Sequence, residues 1–444
     1  MTVTGIHRLR AVHAFFLSWV IPVVLVLSTT CVADTESLVL DQTFSRTVLG
    51  PRLSWLKDKD KTMTIEEAAE KTGQFTLVKG RRPSFGYSSS PYWLTFTVHN
   101  PGPGSVDWLL ECTYPLLDEL DLYMKNQDGR GFTALKAGDQ RPFKDWPANY
   151  QNIVFPLKTP PGHHRYFLRA QSKGSVSIPL TAWSPSAFSR EASSTIPLKW
   201  MFYGIMLAMA FYNVFIYLST RDICHLYMML FAVCISFHSL IHSGLAYQLL
   251  WPGSPRFTNI AYILFMILPG IWGIQFTRSF LVLESEYPKA DRFLHGLHLG
   301  LYPLLAGAFL VGYHIMVQIT SIYVAVIILT LLGTGVKLFI KRAPSARLYV
   351  LAWGVFIMGC LLSTLRSFGL IDCSFLADSG IQIGSCLLVL VLSFGIGEKF
   401  KYILEEKNRA LVALRESDEK YKTLVENAND GIVVRVSDQP VYAN

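Results

Sequence analysis

Seven long apolar runs, separated by short polar breaks, fill the chain from Pro197 to Phe400. A helix of roughly 20 apolar residues crosses a hydrocarbon core of about 30 Å, and each run is long enough to do so. The sequence therefore predicts a seven-helix transmembrane bundle over residues 197–400. The predicted spans are Leu198–Ser219, Cys224–Leu245, Phe257–Leu281, Leu294–His314, Met316–Ile340, Leu348–Phe368 and Gly380–Lys399.

Basic residues in the breaks predict the orientation of this bundle, because cytoplasmic loops retain Lys and Arg. The breaks after the first, third and fifth spans carry Arg221, Lys289, Arg292, Lys341, Arg342 and Arg347. The other three breaks offer only Arg256, with Arg366 at the end of a span. We therefore expect the first span to begin outside and the tail after Lys399 to lie in the cytoplasm.

The formal charge of +8 has the same origin, since much of the excess lies in the membrane-flanking loops and in the first residues. Nucleic-acid binding is therefore not expected. The seven cysteines show neither metal-ligand spacing nor a disulfide framework. The outer part of the chain must consequently be held together by its own apolar core.

The first residues have the pattern of a secretory signal peptide. His7, Arg8 and Arg10 precede the apolar run Ala14–Leu27, and Cys31-Val32-Ala33 resembles a small-x-small cleavage site. We predict a signal peptide over residues 1–33, cleaved after Ala33, with an uncleaved anchor as the alternative.

From Asp34 to residue 195 the chain is polar and aromatic, with short stretches in which apolar and polar residues alternate. Such alternation, between turn signals, is typical of strands. We predict an all-β sensor domain of jelly-roll or sandwich type over residues 34–195, with one short helix at Ile65–Lys71 opened by the capping pair Thr64 and Glu67. The alternating stretches are Tyr92–Val98, Leu120–Met124 and Tyr166–Ala170.

Aromatic residues of this domain are the candidates for ligand contact, because aromatic faces stack on sugar rings and polar neighbours fix hydroxyl groups. The candidates are Trp93, Trp108, Trp146, Tyr150 and Trp183. The competing interpretation makes most of them core residues of a sandwich. Trp146 and Tyr150 lie in a polar stretch and are predicted at the surface, whereas alternation places Tyr92 in the core. Asp118 and Arg169 are expected to form structural ion pairs.

The predicted spans themselves offer little chemistry. They contain no Asp or Glu in their interiors, which argues against an ion-coupled transporter, and no lysine between Gly380 and Glu398 could hold retinal. His238 and His242 could share a helix face, but no further ligand accompanies them, so no metal site is predicted. Asn213 is expected to bond to a neighbouring helix, because a buried amide in lipid needs a partner.

After the seventh span, residues 398–421 are charged and helical in pattern. Apolar residues at heptad spacing predict a cytoplasmic signalling helix that pairs with a second copy as a parallel coiled coil. Lys407 and Asp418 interrupt the seam, and a single solvated helix is the alternative. The seam residues are Phe400, Leu404, Leu411, Leu414 and Tyr421.

Several motifs, taken in order, resemble one family. They are Tyr92-Trp93-Leu94 through Asn100-Pro101, Tyr114–Glu119 with Asp121-Leu122-Tyr123, Gly138-Asp139 with Arg141-Pro142-Phe143, Trp183-Ser184-Pro185, and Tyr203–Met206 through Tyr212-Asn213 and Arg221-Asp222. Over residues 35–400 the chain resembles bacterial seven-transmembrane receptors with diverse intracellular signalling modules (7TMR-DISM). The resemblance implies a periplasmic β domain that binds a small ligand such as a carbohydrate. It also implies a multi-pass protein of the bacterial cytoplasmic membrane with a cytoplasmic output.

The last segment, residues 421–444, resembles the truncated start of an α/β PAS domain, and the chain is expected to be a fragment. Family members end in a histidine kinase or a diguanylate cyclase, so an output enzyme and a response regulator are implied beyond Asn444. Residues 1–444 contain no catalytic motif, and no cofactor is expected in the covered domains. The alternative function is a membrane-anchored periplasmic binding protein without intracellular output.

Overall fold

The structure is a computed structural model that describes residues 37–78, 80–126, 130–343, 346–367, 379–426, 433–436 and 439–443. The predicted signal peptide, Phe368 and the side chain of Phe400 lie outside the described parts. The chain forms two compact units, one up to Leu392 and one from Ser393 onward.

The N-terminal domain is built from short strands in two main sheets. The strands are β1 Leu38–Val39, β2 Arg46–Val48, β3 Ser54–Lys57, β4 Thr76–Leu77, β5 Ser84–Tyr87, β6 Tyr92–Asn100, β7 Val106–Cys112, β8 Glu119–Lys125, β9 Phe132–Ala137, β10 Ile153–Thr159, β11 Gly162–Gln171, β12 Ser175–Ser177 and β13 Leu180–Trp183. The larger sheet has the order β4-β3-β6-β11-β8-β9, with β1 also paired to β6, and the smaller has the order β10-β7-β13-β2. Both sheets are open, and β5 pairs with β12 beside them.

The two sheets bury one shared apolar core, which confirms the predicted all-β sandwich. Leu94 and Leu168 of the larger sheet are paired in register and lie in one cluster with Leu110 and Phe155 of the smaller sheet. Tyr92, predicted in the core by alternation, is buried in this cluster. Apolar side chains on the inner face of each sheet thus account for the fold.

The outer face of the larger sheet is covered as well. Helix α1, Ile65–Glu70, begins as predicted, with the Thr64 hydroxyl accepting a hydrogen bond from the Glu67 amide. Its Ala68 packs in a second apolar cluster with Trp93 of β6 and Phe167 of β11. Both faces of β6 are therefore buried, which explains why Trp93 is inaccessible.

Among the described residues, seven helices are long and apolar enough to cross a membrane, as the sequence predicts. The helices after β13 are α2 Pro185–Thr220, α3 Ile223–His242, α4 Leu245–Leu249, α5 Pro255–Phe280, α6 Leu283–Glu286, α7 Pro288–Leu299, α8 Leu301–Leu310, α9 Tyr313–Ile340, α10 Ala346–Ser367 and α11 Gly380–Glu426. The spans are α2, α3, α5, α7 with α8, α9, α10 and the first 20 residues of α11. Helix α5 packs against α3, α7, α8 and α9.

Several of the predicted span boundaries differ from those in the structure. The first span begins at Pro185, directly after the last strand, because Ser184 caps the helix by accepting a hydrogen bond from the Ala187 amide. The fourth begins at Pro288 rather than Leu294, so Asp291 lies in its first turn, outside the span interiors in which no Asp or Glu was expected. His314 belongs to the fifth span, not the fourth.

The unit from Ser393 onward contains the end of α11 and a hairpin. Helix α11 runs to Glu426 and includes the predicted signalling helix at residues 398–421. Strands β14 Val433–Val436 and β15 Gln439–Ala443 pair antiparallel. The PAS assignment and the coiled coil stay predictions.

Candidate functional site

The aromatic residues predicted to contact a ligand are mostly buried against other parts of the protein. Trp93 and Trp108 are each 1% exposed, Trp183 is 4% exposed and Trp146 is 7% exposed. Only Tyr150 is half-buried. The predicted surface position of Trp146 is therefore wrong, and the four tryptophans contact protein.

Trp93 and Trp108 lie on opposite sides of the larger sheet. The Trp93 ring packs beside Tyr123, with centroids 5.5 Å apart. Trp108 lies in the sandwich core, where its Nε1 donates a 2.7 Å hydrogen bond to the hydroxyl of Thr159. The Tyr166 phenol lies 2.6 Å from the same hydroxyl. Both tryptophans thus serve the fold of the domain.

Trp183 and Tyr150 come together where the first membrane helix leaves the β domain. Both rings pack against Phe188 of α2, with centroids 6.2 Å and 5.0 Å away. Between them, the buried carboxylate of Glu111 accepts hydrogen bonds from Trp183 Nε1 at 2.9 Å and Asn152 Nδ2 at 2.7 Å. Burial raises the pKa of Glu111, although these two donors oppose the rise.

Trp146 marks a contact between the β domain and the connection that joins the second and third spans. Its ring packs beside Phe143 and beside Tyr247 of α4, with centroids 4.9 Å and 6.0 Å away. The Tyr247 phenol donates to the carbonyl oxygen of Arg141. The Phe143 amide donates a 2.8 Å hydrogen bond to the carbonyl oxygen of Pro252. We call this set of contacts the α4 contact.

Gly244, just before α4, fixes how closely the two parts approach. Its φ is +77°, a conformation that suits glycine. A Cβ on this residue would lie 2.3 Å from the carbonyl oxygen of Gln151 and 3.0 Å from the side chain of Pro115. The backbone of this connection at Gly244 therefore packs directly against the backbone of the β domain at Gln151.

A second contact joins the β domain to the beginning of the fifth span, and we call it the α9 contact. His314 Nδ1 lies 2.6 Å from the carbonyl oxygen of Lys173. The neighbouring Tyr313 ring approaches Gly174, where a Cβ would lie 3.3 Å from it. The Tyr87 ring also meets His314 edge to face, at 6.4 Å.

Two buried carboxyl groups connect these contacts within the β domain. Asp118 accepts a 2.9 Å hydrogen bond from the Lys173 amide and lies 3.3 Å from the Ser172 hydroxyl. Asp139 is two residues from Arg141, and its amide donates to the carbonyl oxygen of Leu117 at 2.7 Å. Burial raises the pKa of both carboxyl groups, and the nearby charge of Asp118 raises that of Asp139 further.

Comparison with protein families identifies the architecture. A family model described as 7TM diverse intracellular signalling matches residues 196–399, and one described as 7TMR-DISM extracellular 2 matches residues 50–184. This chain belongs to the 7TMR-DISM family. It is a transmembrane sensory receptor with an extracellular β domain. No curated protein matches the chain.

The helices of this 7TMR-DISM receptor are joined by polar pairs. Asn213 Oδ1 of α2 lies 2.9 Å from His225 Nδ1 of α3, which confirms the interhelical partner expected for Asn213. Arg278 of α5 donates two hydrogen bonds to Asp291 of α7, at 2.7 Å and 2.9 Å. This pair was not predicted from the sequence, although Arg278 and Asp291 are oppositely charged residues flanking one short connection.

The histidines of the second span lie beside one tyrosine. The rings of His238 and His242 have centroids 5.3 Å and 6.2 Å from that of Tyr262. Within the part of the chain that the structure describes, no group of three or more His, Cys, Asp or Glu residues could hold a metal ion.

Arg169, expected to form an ion pair, bonds to Glu119 at 3.1 Å.

Proposed function

We propose that this receptor senses a small periplasmic ligand, such as a carbohydrate, and passes the bound state to a cytoplasmic output through its helices. The α4 and α9 contacts carry this proposal. They tie one rigid sandwich to the connection between the second and third spans and to the start of the fifth. A change in the sandwich would therefore act on several helices at once.

The side of the membrane on which the α4 and α9 contacts lie sets the direction of the signal. The α4 contact and the α9 contact hold the second and fourth connections beside the β domain. These are the connections that are poor in Lys and Arg, which supports an outer position by the positive-inside rule. The opposite ends of the helices would then face the cytoplasm of a bacterium.

The ligand would act by shifting the relative populations of two helix arrangements. A ligand moves an equilibrium between two helix arrangements only as far as its affinities for the two differ. Of the aromatic candidates, Tyr150 is half-buried rather than buried, which favours it for stacking on a sugar, and it packs on α2 through Phe188. Trp93, Trp108, Trp146 and Trp183 would support the site through the packing of the sandwich.

The output would lie beyond the described residues. Residues 398–421 belong to the same helix as the seventh span, and pairing of two copies along Leu404, Leu411 and Leu414 would bring the tails together. The expected PAS start would pass the change in helix arrangement to a histidine kinase or diguanylate cyclase. A kinase would pass it on to a response regulator. The competing function is a membrane-anchored binding protein without output.

The test uses the 444-residue chain in lipid nanodiscs with a panel of mono- and oligosaccharides on the β-domain side. A spin label placed at residue 413, an exposed position beside the seam, reports the distance between two copies, and thermal stability reports binding. We expect one sugar class both to raise the melting temperature and to change the distance distribution. Binding without any distance change would contradict signalling and favour the binding protein, as would an unaltered cellular phenotype after removal of residues 398–444.

A matched pair of variants locates the ligand. Tyr150→Ala should weaken sugar binding about tenfold, since stacking of an aromatic ring on a ligand contributes on the order of 1 kcal/mol or more. Tyr123→Ala removes another half-buried tyrosine of the same domain, away from the α4 and α9 contacts, and should leave sugar affinity unchanged. Equal affinities for both variants would place the ligand elsewhere.

A further inference from the structure

A cavity lies at the end of the bundle far from the β domain, between the connection leading into α7 and the last turns of α9. Its volume is about 620 Å³. Helix α9 begins at the β domain and has 28 residues, so its far end lies about 40 Å away at 1.5 Å per residue. The cavity thus lies where the spans meet the opposite membrane surface.

Three lysines line this cavity. Lys337 belongs to the last turn of α9, Lys341 follows that helix directly, and Lys289 comes from the first turn of α7. All three are exposed, and within the described residues none of them forms an ion pair. Glu286 is the acidic residue of the lining, so the site carries a net charge of about +2 from three lysines and one glutamate.

The lining also has hydrogen-bonding and apolar parts. Thr330, Thr334 and Lys337 follow one another at spacings of four and three residues, so they occupy one face of α9, and Lys341 follows at the end of that helix. The ammonium of Lys341 lies 5.0 Å from the ring centroid of Tyr287. Phe293, which is exposed, completes an apolar rim.

From this arrangement we infer that the cavity binds the phosphate-bearing head group of an anionic phospholipid. A basic pocket between membrane helices suits such a head group, because each lysine near it contributes favourable electrostatic energy. The hydroxyls of Thr330 and Thr334 provide donors for phosphate oxygens, and the rim beside Phe293 can take the acyl chains. A soluble phosphate compound shares the head-group chemistry but would leave this rim unused.

The inference goes beyond the proposed function, because it concerns the membrane surface opposite the sensor domain. A lipid bound there would link α7 with α9, and α9 also makes the α9 contact. Lipid composition would then affect the same helix that the sensor domain holds. If the three lysines only extended toward the membrane surface, replacing them would affect lipid binding no more than replacing other basic residues nearby.

The experiment measures lipid binding to the full chain by native mass spectrometry from mixed micelles of phosphatidylglycerol and phosphatidylcholine. We expect the wild-type chain to retain phosphatidylglycerol in preference to phosphatidylcholine. Lys337→Gln with Lys341→Gln should weaken this retention about 30-fold, because each lysine near an anionic surface contributes roughly a factor of five. Lys289→Gln alone, on a different helix, should weaken it about fivefold.

The matched control removes two exposed basic residues of the same membrane side that do not line the cavity, Arg292→Gln with Arg347→Gln. It should retain phosphatidylglycerol within about twofold of wild type, as bulk charge matters little at a formed site. Equal losses in both double variants would overturn the inference. Displacement of the lipid by millimolar inorganic phosphate or ATP, or binding of these without any lipid preference, would assign the cavity to a soluble phosphate compound instead.

Discussion

The phenol of Tyr247 donates a 2.5 Å hydrogen bond to the backbone carbonyl of Arg141, 106 residues away in the chain. Tyr247 lies between two membrane spans, yet its buried ring belongs to the apolar core of the β domain. Phe143 and Trp146 pack around the same ring. The sensor domain and the second connection of the bundle therefore share one core, and a displacement in either would be felt by the other.

Tyr247→Phe tests the hydrogen bond while it keeps the ring. The free energy of unfolding should fall by roughly 1 kcal/mol, because the Arg141 carbonyl would lose its partner. Chemical denaturation in detergent micelles measures this, and hydrogen exchange should become faster near residues 141–146. Tyr212→Phe, which alters an exposed tyrosine of α2, is the control. Equal losses in the two variants would show that the contact does not stabilise the receptor.

Gly244→Ala tests the close approach at the α4 contact. An alanine at φ +77° is strained, and its Cβ would meet the Gln151 carbonyl oxygen at 2.3 Å, so we expect a loss of at least about 2 kcal/mol. Gly253→Ala lies in the same connection with open space around its Cβ and serves as the control. Thermal unfolding followed by tryptophan fluorescence distinguishes them, and similar melting temperatures would refute the packing argument.

Asp139→Asn tests the buried carboxyl pair through pH. Because burial raises the pKa of Asp139 in the folded state, the folded protein holds a proton that the unfolded chain releases, and stability falls as pH rises from about 4. The asparagine variant cannot ionise, so it should gain roughly 1 kcal/mol or more over wild type at pH 8 and differ little at pH 4.

Asp145→Asn, on an exposed side chain of the same loop, is the control for that pH series. Its melting temperature should follow that of wild type from pH 4 to pH 8. A parallel pH profile for Asp139→Asn would mean that the Asp139 carboxyl does not contribute to the pH dependence of folding.

The sequence alone predicted the features that depend on local pattern. Period-two alternation placed Tyr92 inside the sandwich, the capping pair Thr64 and Glu67 placed the start of α1, and length with hydropathy found the seven spans. Each of these depends on residues that are close together in the chain. The type and position of each element therefore follow from residues that are close in sequence, whereas the order of the domains came from the family resemblance.

Features that depend on distant partners were beyond sequence reasoning. Trp146 lies in a polar stretch, and its burial depends on Tyr247, which is a hundred residues further along. Alternation puts Trp93 on the face of β6 opposite Tyr92, and only the structure shows that this face is covered by α1. Asp291 was predicted outside the spans because the apolar run begins at Leu294, and its pairing with Arg278 of the preceding span is a tertiary contact. Burial in these cases is decided by tertiary contacts.

The predicted coiled coil gives the sharpest test of signal output. Leu411 and Leu414 are 48% and 59% exposed in the single chain, so replacing both with Asp should leave the helix intact in a monomer. In a paired helix the same change buries charge at the seam and should abolish pairing of the tails. Cross-linking or distance measurement between two copies in nanodiscs detects this loss.

The control for this double variant places the same two charges beside the seam, as Val412→Asp with Ala413→Asp. Both positions are exposed and neither belongs to the heptad positions of Leu404, Leu411 and Leu414. Pairing should survive there, because added charge is solvated on the outer face of a coiled coil. If both double variants pair as wild type does, the seam does not run through Leu411 and Leu414. If wild type is itself unpaired, residues 398–421 form a single solvated helix and the coiled-coil prediction is wrong.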